Sequence, residues 1–308
     1  MPSTKTIRFW LAGLTLASGI IFSACVANPR VLLIPSVAAA VIPAAERIND
    51  YPEALAVIVS VMARDLDLPA VEGTVTFYPN RFSYESGLVA ELEKVFDVVE
   101  KQLAPDAQKK FRAAREENIA FNARRTATTT IAIGMYRRVL VNEIPLLRQS
   151  WSERIGLLAH ELTHTVEREV GNPLINGDRW LSEGFAEWVA SRVLDTLGLD
   201  TFGKIRERRV DVISKAKAYQ TFPTLTQLAR PEDWQTWTQT LGLVATYGQA
   251  FIGVDFLIEQ KGHPAVVEYF RLFRKQSNRE VNFTTAFGEP VAEFEGRFAQ
   301  HLQFLLGR

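Results

Sequence analysis

Between Ser150 and Pro173 the chain carries a start signal, an apolar stripe and a stop signal for a single helix, and the rest of the fold must be arranged to cover it. Ser150 and Glu153 have the S-x-x-E spacing of a capping box, in which each side chain closes on the other residue's backbone N–H. Ile155, Leu158, Leu162 and Val166 recur at three and four, which puts them on one face, and Gly171 ahead of Asn172-Pro173 ends the helix. His160 and His164 stand four apart beside that stripe, so two imidazoles flank the face that must be buried.

With Glu161 the histidines form H-E-L-T-H, a spacing that suits a metal because residues four apart can aim two ring nitrogens at one point. Catalytic zinc takes three protein ligands and keeps a further position for water, so the pair is one ligand short. Glu183, in W-L-S-E-G-F-A-E, is the candidate third ligand. Glu161 lies roughly 100° around the helix from His160, beside the metal, where a carboxylate can take a proton from water. Ligating histidines usually donate their second N–H to an oriented acceptor, and Glu187 and Asp178 are the candidates for that role, against surface carboxylates as the plain alternative. His263, between Gly262 and Pro264, reads as turn chemistry and His301 as helix surface.

H-E-L-T-H, eighteen intervening residues and then Glu183 within W-L-S-E-G-F-A resembles the gluzincin branch of the zinc metallopeptidases, specifically the M1-like peptidase MA group. The motif and its spacing cover residues 150 to 190, with a looser likeness reaching Tyr247 and the helical C-terminus. The resemblance implies a Zn²⁺-dependent peptidase with His160, His164 and Glu183 as ligands and Glu161 as general base. It also implies Tyr247, in A-T-Y-G-Q-A-F, as a donor to the oxyanion, although a core tyrosine on an amphipathic helix is an equal reading. M1 aminopeptidases carry a carboxylate on an edge strand ahead of the zinc helix, and it holds the substrate's amino terminus. Ile133-Gly134-Met135-Tyr136-Arg137 has none, which favours an endopeptidase over an aminopeptidase. An edge strand there could take a peptide backbone by β-augmentation. A zinc-stabilised, non-catalytic binding or scaffold lipoprotein is the competing class.

The 308 residues are 47% hydrophobic, enough for a real core, and 35 basic residues balance 35 acidic ones, so no nucleic-acid partner is expected. Arg206, Arg208 and Arg209, interleaved with Glu207 and Asp211, read as a solvated helix face. Lys5 and Arg8 followed by the uncharged run Phe9 to Ala24 have the layout of a signal peptide over residues 1–24. Cys25, after Phe22-Ser23-Ala24, resembles a lipoprotein cleavage box and would give a lipid anchor in the membrane; cleavage after Ala40 or a retained helix are the alternatives. All three put the catalytic part outside the cytoplasm. A single cysteine allows no intrachain disulfide.

Residues 25–49, with Pro29, Pro35 and Pro43, read as a tether, residues 50–145 as an α/β part and residues 146–308 as the zinc helix and a helical remainder. Asp50 caps a helix running to about Asp65; strands are expected over 71–78, 126–133 and 138–141, and helices over 83–103 and after Pro105. A helix from about Ser182 to Gly198 would hold Glu183 in its first turn. Helices over about 201–219, 243–260, 264–276 and 290–305 follow, with Trp234 and Trp237 read as core. The expected fold class is α+β, predominantly helical: a gluzincin (thermolysin-like or M1-like) catalytic domain with a small N-terminal sheet.

Overall fold

The computed structural model describes residues 28–36, 48–173, 177–217 and 222–307. The signal segment, Cys25 and Ala40 lie outside the described residues. The architecture is α+β and predominantly helical: strands β1 (Arg30–Ile34), β2 (Gly73–Tyr78), β3 (Ala132–Met135) and β4 (Arg138–Asn142) form one sheet in the order β1-β2-β4-β3. β1 pairs antiparallel with β2, β2 parallel with β4, and β4 antiparallel with β3, so that β1 and β3 are the edge strands among the described residues.

Helix α1 (Tyr51–Arg64) starts where Asp50 accepts from the Glu53 N–H at 2.9 Å, and its apolar face lies in the main core with the sheet residues Val75, Phe77, Val139 and Val141. Alternation sends Leu140, Ile133 and Tyr78 to the opposite face, where Tyr84 and Leu88 of α2 (Arg81–Gln102) and Ala123 and Ala127 of α3 (Pro105–Thr129) cover them. After the short α4 (Glu143–Leu147) comes α5 (Trp151–Val170), whose capping box forms as the S-x-x-E spacing requires: Ser150 N–H donates to Glu153 at 2.7 Å and Glu153 N–H to Ser150 at 3.3 Å. The Gly171 N–H closes its end on Glu167. Helices α6 (Arg179–Thr196), α7 (Phe202–Lys217), α8 (Pro231–Leu241), α9 (Leu243–Lys261), α10 (His263–Leu272), α11 (Arg279–Phe287) and α12 (Val291–Leu305) complete the body. One hydrophobic cluster runs from Ile34 through α1, α5 and α6 to Leu302, so the parts before and after residue 146 share a core.

Four local expectations are corrected. The tether contains β1, because Val31-Leu32-Leu33-Ile34 is a strand-forming run that Pro29 and Pro35 bound without interrupting. Residues 126–129, expected as strand, finish α3: Thr128, Thr129 and Thr130 donate their hydroxyls to the carbonyls four residues back, at 2.7, 3.0 and 2.9 Å, which satisfies β-branched side chains within helical geometry. α6 begins at Arg179, so Glu183 sits in its second turn. α11 was not expected; Asn278 caps it by accepting from Val281 N–H at 3.1 Å.

Two glycines set the spacing around α5 and α6. A Cβ on Gly134 would stand 2.2 Å from the Glu161 carbonyl oxygen and 2.9 Å from His164 Cβ, so β3 rests directly on α5. A Cβ on Gly184 would stand 2.4 Å from the Ala250 carbonyl oxygen, which brings α9 against α6.

Candidate metal centre

α5 supplies His160, Glu161 and His164, and α6 supplies Glu183; all four are buried. The two histidine Nε2 atoms are 3.1 Å apart, and Glu183 Oε2 lies 3.3 Å from that of His160 and 3.6 Å from that of His164. Donors held tetrahedrally around one ion at roughly 2.0–2.1 Å stand ~3.3–3.4 Å from each other, so the three atoms already have the spacing of a coordination sphere. Glu183 Oε2 is buried and receives no hydrogen bond. A buried carboxylate oxygen left so is costly unless a cation meets it, and the group could hold a metal ion.

Each ligand is held from behind. Arg179, one turn earlier on α6, reaches Glu183 Oε1 at 2.6 Å, leaving Oε2 to face the imidazoles. His164 Nδ1 lies 3.0 Å from Glu167 Oε2, which also accepts from Ser182 Oγ at 2.6 Å. His160 Nδ1 lies 3.1 Å from Glu187 Oε1 but off the line of a hydrogen bond, and the other Glu187 oxygen takes the Arg209 guanidinium from α7. Glu161 accepts the backbone N–H of Gly134 on β3.

Four carboxylates (Glu161, Glu167, Glu183, Glu187) outnumber the guanidinium groups around them, Arg179 and Arg209 in contact and Arg168 alongside, a negative excess that suits a cation. Without that cation, protons serve: burial works against a charged His164, yet the charges of Glu167 and Glu183 override it and push the ring up to about 9. His160 is raised likewise, burial being outweighed by Glu183 and Glu187. Burial opposes the ionised Glu183, but Arg179 and the histidines hold it well below the ordinary carboxylate range.

Of the residues singled out in the sequence, His160, Glu161, His164, Glu183 and Glu187 come together. Tyr247, on α9, places its ring 6.2 Å from that of His160 and 5.1 Å edge-on from Trp234. Burial and the nearby Glu183 charge push its hydroxyl well above its usual range. Asp178 stands apart, accepting from the Tyr269 hydroxyl at 3.0 Å, with Arg279 at 3.9 Å. The place expected for it behind a histidine belongs to Glu167. The solvated arginine face holds for Arg208, which is exposed and donates to Asp200, and is corrected for the half-buried Arg206, which donates to Asp255 at 2.8 Å, and Arg209, which donates to Glu187. Sequence reasoning missed Glu167, Ser182, Arg179 and Arg209. The i, i+3 spacing of His164 and Glu167 and the i, i+4 spacing of Arg179 and Glu183 were signals for two of them. His263 stacks on Trp188 and His301 on Phe256, both away from the centre.

No protein-family model, curated protein or solved structure matches the chain. Among the described residues no helix is long and apolar enough to cross a membrane.

Proposed function

We propose that the protein is a zinc-dependent peptidase of the gluzincin type, acting as an endopeptidase. The observation that carries this reading is the convergence of His160 Nε2, His164 Nε2 and Glu183 Oε2 within 3.1 to 3.6 Å, with Glu161 on the same helix and outside the ligand set. Two imidazoles and a carboxylate suit Zn²⁺, which when bound in such a site polarises a carbonyl and acidifies a water. Glu161 then takes the proton of the attacking water and returns it to the leaving amine. A carboxylate that were itself a metal ligand could not do this, and the anchoring of Glu161 on the Gly134 N–H supports its separate role. Tyr247, whose ring lies 6.2 Å from that of His160, is the donor to the developing oxyanion on this reading, a contribution of a few kcal/mol in comparable sites.

Among the described residues β3 is an edge strand of the sheet and rests on α5, with the Gly134 N–H taken by Glu161, and such an edge suits an extended peptide. Residues 133–137 carry no carboxylate to bind a terminal ammonium, which supports internal cleavage. The test is digestion of a mixed peptide pool by the full chain, with metal content measured alongside. Internal cleavage that stops with a chelator is expected, and Glu161→Gln should keep its zinc while turnover falls by on the order of 10²–10⁴. Undiminished turnover in that variant would remove Glu161 as the base. A parent protein that binds zinc and cleaves nothing would favour the binding or scaffold reading. Full metal occupancy after Glu183→Ala would move the third ligand elsewhere.

A further inference from the structure

Glu167 is buried to 3% exposure, and among the described residues no lysine or arginine comes within ion-pair distance of it. Its neighbour Arg168 donates to the Pro173 carbonyl at 3.0 Å and adds only a longer-range charge. An ionised carboxylate in such a place is costly unless its partners return the loss, and its two partners belong to the metal centre. His164 Nδ1 lies 3.0 Å from Oε2, and Ser182 Oγ, on the residue immediately before Glu183, donates to the same oxygen at 2.6 Å. Ser182 is itself fully buried and 3.3 Å from His164 Nδ1, so the three groups form a closed triangle behind one ligand.

On the metal-centre reading above, we infer that Glu167 is the positioning residue that sets metal affinity, and that Ser182 ties it to the helix carrying the third ligand. The Nδ1–H donates to Glu167, which fixes the tautomer with the Nε2 lone pair toward the ion and strengthens that nitrogen as a donor. Because the same carboxylate oxygen takes the Ser182 hydroxyl, the register of α6 against α5 is set by the bond that orients His164. Glu183 therefore arrives at the imidazoles already aligned.

The second histidine is held differently, and the contrast sharpens the claim. Glu187 approaches His160 Nδ1 off the hydrogen-bond line and shares its charge with Arg209. Among the described residues no guanidinium contacts Glu167 as Arg209 contacts Glu187, the charges of Arg168 and Arg179 acting on it only from farther off, so its removal should cost the metal more.

Competition for Zn²⁺ between the full-length chain and a chromophoric chelator tests this. Glu167→Gln, which keeps the shape and removes the charge, should weaken zinc binding by roughly 10- to 100-fold, Glu187→Gln less, and Ser182→Ala less than Glu167→Gln. Loading with Co²⁺ should give Glu167→Gln a shifted visible absorption spectrum, which a merely space-filling residue would not produce. Zinc affinity within about twofold of the parent, or a larger loss in Glu187→Gln, would overturn the inference. If Glu167→Gln does not fold, Glu167→Asp withdraws the charge by one methylene and is read in the same two ways. A parent that binds no zinc would end both this inference and the peptidase reading; a parent that binds it while Glu167→Gln binds equally well would end this one alone.

Discussion

α5 and α3 are helices of similar length, 20 and 25 residues, with opposite environments. Twelve residues of α5 are buried, among them the ionisable groups His160, Glu161, His164 and Glu167 of the candidate metal centre, whereas α3 buries only Ile119, Ala123 and Ala127 near its end. α5 opens with a reciprocal capping box; α3 opens at Ala104 with no side-chain cap. Together α3 and α2 form a hairpin that covers the sheet with Tyr84, Leu88, Ala123 and Ala127 and meets water along much of its length. The lesson is that burial makes charge consequential. Ion pairs of α2 and α3, such as Arg112 with Glu100, are exposed on the arginine side and contribute little, while the same residue types around α5 shift one another's protonation strongly.

Leu158, fully buried in α5, and Val98, 46% exposed on α2, give the widest separation between the two regions. Leu158→Ala should cost about 2–5 kcal/mol of unfolding free energy in a denaturant titration, and Val98→Ala should stay within about 0.5 kcal/mol. Equal losses would mean that the hairpin is as tightly packed as the centre. Gly134→Ala comes next: the added methyl meets the α5 backbone at 2.2 Å, so about 1–3 kcal/mol should be lost, and on the proposed peptidase reading displacement of β3 from Glu161 should lower turnover as well. Smaller again is the cap contrast. Ser150→Ala should cost about 1 kcal/mol, and Ala104→Ser, which supplies α3 with the cap it lacks, should gain a fraction of that.

The smallest effect concerns the turn between β3 and β4, where Arg137 clasps Glu169 of α5 through two 2.8 Å hydrogen bonds. That clasp, ahead of the burial that opposes it, holds the Glu169 carboxyl below its usual range. A depressed acid stabilises the folded state above its unfolded value of ~4.3 and loses that contribution as pH falls through the folded value. The melting temperature of Arg137→Ala should therefore lie below the parent at neutral pH and converge with it in acid, the gap also narrowing in high salt.

Where a signal was local, the chain could be read directly. Asp50 with Glu53, Ser150 with Glu153, and the stripe from Ile155 to Val166 each lie within a turn or two, and their helices form as expected. His160 and His164 were legible for the same reason. Thr126 to Thr130 misled because β-branched residues favour strands on average, whereas these hydroxyls found partners within their own helix. β1 was hidden by its flanking prolines. Arg209 could not be assigned to Glu187 from spacing alone, since they lie on different helices and meet only once α7 packs.

The parallel pairing of β2 with β4 carries a consequence for how the molecule is assembled in time. Thr74 lies opposite Arg138, and the chain between them is almost wholly the α2–α3 hairpin, so the sheet closes only after that long excursion is complete. α5 and α6, which carry His160, His164 and Glu183, are neighbours in sequence and need no such wait. A nascent chain would thus bring the two ligand-bearing helices together through short-range contacts, while β3 and its Gly134 depend on a sheet whose central pairing is the slow, long-range step. On the proposed peptidase reading, double-jump refolding followed by zinc uptake on one channel and peptide cleavage on the other should show metal capture running ahead of activity.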